Sequence, residues 1–163
     1  MTDRNTLPTD ADAPPEEELR RLIEMLYFAY RDFTAGPDGE LAGIGFGRAH
    51  HRIVYFVGRN PGITVGELFG LLRITKQSLA RVLSQLVAEG YVVRRPGEAD
   101  RRLRHLELTA KGVALEERLT ETQRRFLADA VRRAGAGTTD GFRRMLRAMI
   151  GEVDRQRFPE ETS

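Results

Sequence analysis

Residues 64–112 read TVGELFGLLRITKQSLARVLSQLVAEGYVVRRPGEADRRLRHLELTAKG, and the order of signals in this stretch decides the fold. Thr64 and Glu67 have the S/T-x-x-E spacing of a capping box, in which hydroxyl and carboxylate each satisfy an orphan backbone amide. A short helix is therefore predicted to start at Val65. Arg73 and Ile74 turn the chain into Thr75, a good N-cap, and a second helix runs through KQSLARVLSQLVAEG until Gly90. Residues 91–95 and 103–108 are strand-like, the latter with Leu103, His105 and Glu107 alternating against Arg104, Leu106 and Leu108. They predict a hairpin with a long polar tip.

The second of these helices has two unlike faces. Leu79, Val82, Leu83, Leu86 and Val87 follow i, i+3, i+4, i+7, i+8, while Lys76, Gln77, Arg81, Ser84 and Gln85 fall opposite. A merely solvated face would carry Glu/Lys pairs, yet the only acid is Glu89, at the far end. A helix lying against phosphates and base edges needs that absence, because each carboxylate facing a polyanion costs binding energy. Thr75, Gln77, Ser78, Arg81, Ser84 and Gln85 are thus assigned to a DNA-facing side. Gln77 and Arg81 suit base edges because their side chains can donate in pairs, and Lys76, Ser78 and Ser84 suit phosphates. Around the hairpin, Arg94, Arg95, Arg101, Arg102 and Arg104 outnumber the nearby Glu98, Asp100 and Glu107.

Outward from this stretch the chain is helical. EEELRRLIEMLYFAYRDF, from Glu16, places Leu19, Leu22, Ile23, Leu26, Tyr27 and Tyr30 at helical spacing, and Gly36-Pro37 is expected to stop it. RAHHRIVYFVGRN makes a further helix, ended by Asn60-Pro61-Gly62. Thr109 caps a long helix with Val113, Leu119, Phe126, Leu127, Ala130 and Val131 on its apolar side, broken at Gly135-Ala136-Gly137. A last helix is expected over about residues 139–157, carrying Phe142, Met145, Leu146, Met149, Ile150 and Val153. The fold class is mainly α with a small β-hairpin wing (α+β). It is a winged helix-turn-helix framed by N- and C-terminal helices. The division is 1–15, a disordered acidic leader; 16–42, an N-terminal dimerisation helix; 43–112, the DNA-binding domain; and 113–158, C-terminal dimerisation helices.

Composition agrees with a DNA partner. The chain has 163 residues and a net charge of +2, but residues 51–112 hold eleven Lys/Arg against five Asp/Glu while residues 1–50 hold five against ten. Such a basic centre is the footprint that a polyanion selects. With no cysteine, disulfides, thiolate zinc sites and thiol switches are excluded. No stretch approaches the roughly 18 apolar residues of a membrane span, and the leader lacks the apolar core of a signal peptide, so no membrane partner and a cytoplasmic location are expected.

At Asp100-Arg101-Arg102 and Leu108-Thr109-Ala110-Lys111-Gly112 the sequence resembles the MarR family of bacterial transcriptional regulators, whose wing signature is D-x-R followed by L-T-x-x-G. ITKQSLARVLSQLVAEGYVVR looks like that family's recognition helix and first wing strand, and the likeness extends over about residues 19–153. HHRIVYFVGRNPGITVGELFGLLRITKQSL is most similar to a branch with PetP-like and LdtR-like regulators. The resemblance implies a homodimer that presents two recognition helices to successive major grooves of a pseudo-palindrome in double-stranded DNA, most often as a repressor. It implies that Arg102 enters the minor groove and that Asp100 orients it. It also implies a small aromatic or anionic effector, whose pocket would draw on Phe28, Phe46, His51, Arg52 and Tyr55.

Other function classes find little support. No nucleophile with its base, paired carboxylates or phosphate loop is visible, and Gly43-Ile44-Gly45-Phe46-Gly47 lacks the final glycine and preceding strand of a nucleotide fingerprint. No enzyme activity and no cofactor are expected. His50 and His51 are adjacent, so they point about 100° apart on a helix and no carboxylate at i+4 completes a metal site. They are packing or pocket residues. The alternative is a nonspecific architectural DNA-binding or a protein-binding winged-helix protein; a protein-binding wing would show exposed aromatics rather than arginines.

Overall fold

Capped turns divide the chain, which the computed structural model describes over residues 13–97 and 100–159. Helices α1 (Glu16–Ala42) and α2 (Arg48–Arg59) come first; strand β1 (Ile63–Thr64) leads into α3 (Val65–Leu72), and α4 (Lys76–Ala88) follows. Strands β2 (Val92–Pro96) and β3 (Arg104–Leu108) form the hairpin, and α5 (Ala110–Ala134), α6 (Thr138–Met149) and α7 (Glu152–Arg155) close the chain. Apart from its last three residues, the leader expected over 1–15 lies outside the described residues.

The capping chemistry sets the helix starts. Thr64 Oγ1 accepts the Glu67 amide at 3.2 Å while Glu67 Oε2 accepts the Thr64 amide at 2.8 Å. Thr75 Oγ1 accepts the Ser78 amide at 3.1 Å, and Thr109 Oγ1 accepts that of Gly112 at 3.1 Å. Between them, Ile53, Val54 and Val57 of α2, Leu68 of α3, and Leu79, Val82, Leu83 and Leu86 of α4 close over Leu106 of β3 and Leu115 and Leu119 of α5. Each such fully buried side chain stabilises the fold by roughly 1.5–3 kcal/mol relative to exposure. That core holds the polar face of α4 outward.

The sheet is antiparallel in the order β1-β3-β2, with Ile63 opposite Leu106 and Arg95 opposite His105. Strand β1 was not foreseen. It is two residues long, and Thr64 serves both as its last residue and as the cap of α3, so the capping signal hides it.

Two helix ends differ from expectation. Helix α1 runs through Gly36-Pro37 to Ala42. Proline removes one amide donor, but Gly36 has no Cβ to meet the proline ring, and Thr34 Oγ1 bonds back to the carbonyls of Tyr30 and Arg31. Packing on α5 then holds the helix together: Phe33 meets Phe126 edge-on at 5.9 Å, and Thr122 Oγ1 donates to Glu40 Oε1 at 2.9 Å. At the other end, the helix expected over 139–157 is divided at Ile150-Gly151. Ile150 is extended, at ψ 133°, and the Arg155 guanidinium takes its carbonyl at 2.9 Å.

Candidate nucleic-acid interface

Lys76, Gln77, Arg81 and Ser84 are exposed on α4, with Gln77, Arg81 and Ser84 on one stripe at i, i+4, i+7. Thr75 is exposed beside them and Ser78 is half-buried. Gln85 is placed differently from its neighbours. Its Oε1 accepts from His50 Nε2 at 2.8 Å, and its Nε2 donates to Glu89 Oε1 at 3.0 Å. His50 is buried, with the Phe46 ring stacked on it at 4.4 Å and its Nδ1 accepting the Gly47 amide at 3.1 Å. Since Nδ1 accepts, the ring proton sits on Nε2. His50 is thus a packing residue that ties the second half of α4 to α2.

The hairpin stands beside this stripe. Arg94 Nη2 approaches Ser84 Oγ at 3.4 Å, joining wing to helix, and Arg95 pairs with Glu107 at 2.7 Å. His105 Nδ1 meets the Gly62 carbonyl at 2.6 Å, fixing the wing to β1. At the tip, the Gly97 amide bonds the Leu103 carbonyl at 3.0 Å and Arg104 Nη1 bonds the Arg101 carbonyl at 2.9 Å. Asp100 Oδ1 accepts the backbone amide of Arg102 at 2.9 Å. Asp100 thus engages the main chain of Arg102 and not its guanidinium. Arg101 and Arg102 are exposed, and Glu98, one of the acids counted near them, lies outside the described residues.

The L-T-x-x-G stretch is the joint between wing and α5. Thr109 Oγ1 donates to the Gly90 carbonyl at 2.6 Å, the Thr109 amide bonds the Tyr91 carbonyl at 3.1 Å, and Lys111 Nζ lies 4.2 Å from the Tyr91 ring centre. These bonds fix where the hairpin leaves α4.

The five candidate effector-pocket residues have different surroundings within one protomer. Phe46 belongs to the core, whereas Phe28 is exposed on α1 in edge contact with Tyr27. His51 is half-buried on α2, where burial pushes its pKa below the ordinary imidazole value. Arg52 reaches Tyr30 Oη at 3.3 Å, and Tyr55 meets Phe56 edge-on. Two open clefts, about 300 and 370 Å³, are walled by other residues: Asn60, Glu67, Leu71 and Arg157 among them in one, and Glu40, Arg118 and Thr122 in the other.

A helix-turn-helix, a flanking arginine hairpin and long terminal helices set the terms for comparison with known proteins. Residues 44–103 match the MarR family. Over 143 residues, 88% of this chain and 86% of its relative, the sequence is 48% identical to the HTH-type transcriptional regulator PetP of Rhodobacter capsulatus. The chain belongs to the MarR family. It is accordingly a transcriptional regulator rather than an enzyme, as its residues had indicated, and the PetP-like likeness of residues 50–79 holds along most of its length. Among solved MarR-type folds, Streptococcus pneumoniae FabT in complex with DNA superposes with a TM-score of 0.72 at 19% identity, over 80% of this chain and 94% of that one. A Mycobacterium tuberculosis MarR family protein in complex with salicylic acid gives 0.57 at 26% identity, over 86% and 99%.

Proposed function

We propose that this MarR-family regulator is a homodimeric repressor that binds a pseudo-palindromic operator in double-stranded DNA and is released by a small aromatic or anionic effector. The observation that carries the DNA reading is the exposed Gln77–Arg81–Ser84 stripe, free of carboxylates, beside the arginines of the hairpin. Gln77 and Arg81 read base edges; Thr75, Lys76, Ser78 and Ser84 contact phosphates and sugar; Arg94, Arg95, Arg101 and Arg104 neutralise the backbone flanking the wing. Arg102, aimed by Asp100, enters a narrow minor groove. Gln85 acts from behind, by steadying α4.

Dimerisation is supported by apolar surface that one protomer leaves bare. Ile23, Met25 and Tyr27 of α1 and Phe142, Met145 and Met149 of α6 are all exposed, more than a monomer of this size leaves uncovered without a partner. A two-fold dimer spaces two recognition helices by about 34 Å, one turn of DNA. The effector reading draws support from the salicylic acid bound by the relative from Mycobacterium tuberculosis. In this chain it assigns the pocket to Phe28, Phe46, His51, Arg52 and Tyr55, closed by the second protomer.

The test is an anisotropy titration of the purified protein against its own upstream DNA, with unrelated duplex as competitor and Arg102→Ala alongside. Binding that survives competitor and is lost in Arg102→Ala supports a specific regulator. Equal, salt-sensitive binding to both duplexes would replace it with a nonspecific architectural protein, and no binding at low salt would end the DNA reading.

A further inference from the structure

Arg73 is the one non-glycine among the described residues with a positive φ, at φ 49° and ψ 39°. This left-handed region disfavours a Cβ, and glycine or asparagine usually ends a helix there. A strained arginine is a reason to ask what its side chain does. It crosses from the α3–α4 turn to α7, where Nη2 lies 3.0 Å from Asp154 Oδ2, a contact between residues 81 apart in sequence. Asp154 is itself well placed: its amide bonds the Gly151 carbonyl at 3.1 Å, and Arg155 pins the Ile150 carbonyl just before the helix. Two residues beyond Arg73, Thr75 caps the recognition helix. One ion pair thus joins the C-terminal helices to the point where α4 begins.

We infer that Arg73 and Asp154 form a positioning clamp, in which Asp154 sets the entry of α4 and thereby the fit of Gln77 and Arg81 to DNA. The inference rests on the DNA-binding reading of α4 given above. Arg73 and Asp154 touch no base in this role. Arg73 lies two residues before the cap of α4, so its two dihedrals help to set the direction in which α4 departs, and the N-terminal residues of a recognition helix are the ones that reach base edges. Arg73 is held in this conformation by its amide bond to the Phe69 carbonyl at 3.3 Å and by Asp154 at the far end of its side chain.

Operator and unrelated-duplex affinities would be measured for Asp154→Ala, Arg73→Gly and the exchange Arg73→Asp/Asp154→Arg, each in the full chain across several salt concentrations. Asp154→Ala should weaken operator binding by about two- to fivefold per half-site, the range that an exposed pair spans, with unrelated-duplex binding unchanged. Arg73→Gly should lose the same factor while its melting temperature holds or rises, since glycine removes the backbone strain. The exchange should recover only part of the loss, because Arg157, 3.7 Å from Asp154, would then face an arginine. If Asp154→Ala leaves operator binding intact while Arg73→Gly weakens both duplexes and lowers the salt slope by about one, Arg73 is a phosphate contact and the clamp is wrong. A readout without DNA separates this inference from the DNA reading itself. Hydrogen exchange at the amides of residues 78–80 should quicken in Asp154→Ala, and unchanged exchange would overturn the clamp whether or not the protein binds an operator.

Discussion

A Cβ on Gly112 would overlap the carbonyl oxygen of Tyr91, so the first turn of α5 rests directly on the chain that leaves α4 for the wing. The same carbonyl accepts the Thr109 amide at 3.1 Å, which leaves it no freedom to withdraw. Gly112→Ala should therefore destabilise by at least roughly 1–3 kcal/mol, the cost of overpacking against atoms that cannot move aside. Urea denaturation reads this as a lower midpoint. An unchanged midpoint would show that the joint between wing and α5 is loose.

Gly36 and Gly39 lie in one helix and should respond oppositely to alanine. A Cβ at Gly36 would come 2.6 Å from Thr122 Cγ2, whereas one at Gly39 would meet nothing within 4 Å. Gly39→Ala should gain about 0.5–1 kcal/mol from the lower entropy of the unfolded chain. Gly36→Ala should lose a comparable amount or more as α1 is pushed off α5. Thr122→Ser removes the clashing methyl but keeps the hydroxyl that donates to Glu40, so Gly36→Ala/Thr122→Ser should regain most of the loss in a double-mutant cycle.

Glu67 makes the start of α3 sensitive to acid. The Thr64 amide and then the Thr64 hydroxyl, both 2.8 Å from Oε2, hold its carboxyl below the usual carboxylate value. A depressed folded pKa contributes stability that is present above the unfolded value of about 4.3 and is lost as pH falls through the folded one. In Glu67→Gln, part of the stability lost below pH of about 4.5 should disappear, by about 0.5 kcal/mol after screening by solvent at this exposed site. Parallel stability-versus-pH curves for the two proteins would mean that the box does not depend on the charge.

His51 acts in a different window. Burial, the largest influence, disfavours its protonated form, with Asp38 and Glu116 opposing and Arg52 adding to the effect. The unfolded chain therefore takes up a proton near the ordinary imidazole value of about 6.5 before the folded protein does, so stability is complete above that pH and declines as pH falls below it. His51→Asn should flatten the decline between about pH 7 and 5. Following the His51 ring protons by NMR would give a folded pKa below 6.5; one above it would reverse the sign.

Much of this was legible because capping is local. Thr64, Thr75 and Thr109 each announce a helix within three residues, and the buried side of α4 follows from its period alone. What escaped depends on partners distant in sequence. Pro37 ends a helix by its own chemistry, and contacts such as those of Phe126 and Thr122, nearly ninety positions on, help to keep α1 going. Gln85 sits on the polar face by spacing, yet His50, 35 residues earlier, engages its carbonyl. Arg73 reads as a turn residue until Asp154 is placed beside it. The polar stripe of α4 was legible by type and spacing; which of its side chains the fold already engages was not.

Asp100 gives the sharpest test of the wing, since charge and geometry make opposite demands. Counting charges, Asp100→Ala removes an acid from a hairpin proposed to face phosphates and should tighten DNA binding. In the structure, Asp100 Oδ1 holds the Arg102 amide at 2.9 Å while the Asp100 carbonyl accepts the Leu103 amide at 3.1 Å, so the side chain shapes the turn that presents Arg102. Asp100→Ala should therefore weaken operator binding, by about 1 kcal/mol or fivefold, the worth of one such bond. Asp100→Asn keeps an oxygen acceptor at the same place and loses the charge, so it should bind as well as the parent or better. Arg102→Ala should weaken binding most on operators with an A-T tract under the wing and least where that tract is replaced by G-C. Titrations of these three variants on both duplexes decide between the views: tighter binding by Asp100→Ala would mean that its carboxylate acts only as a repelling charge.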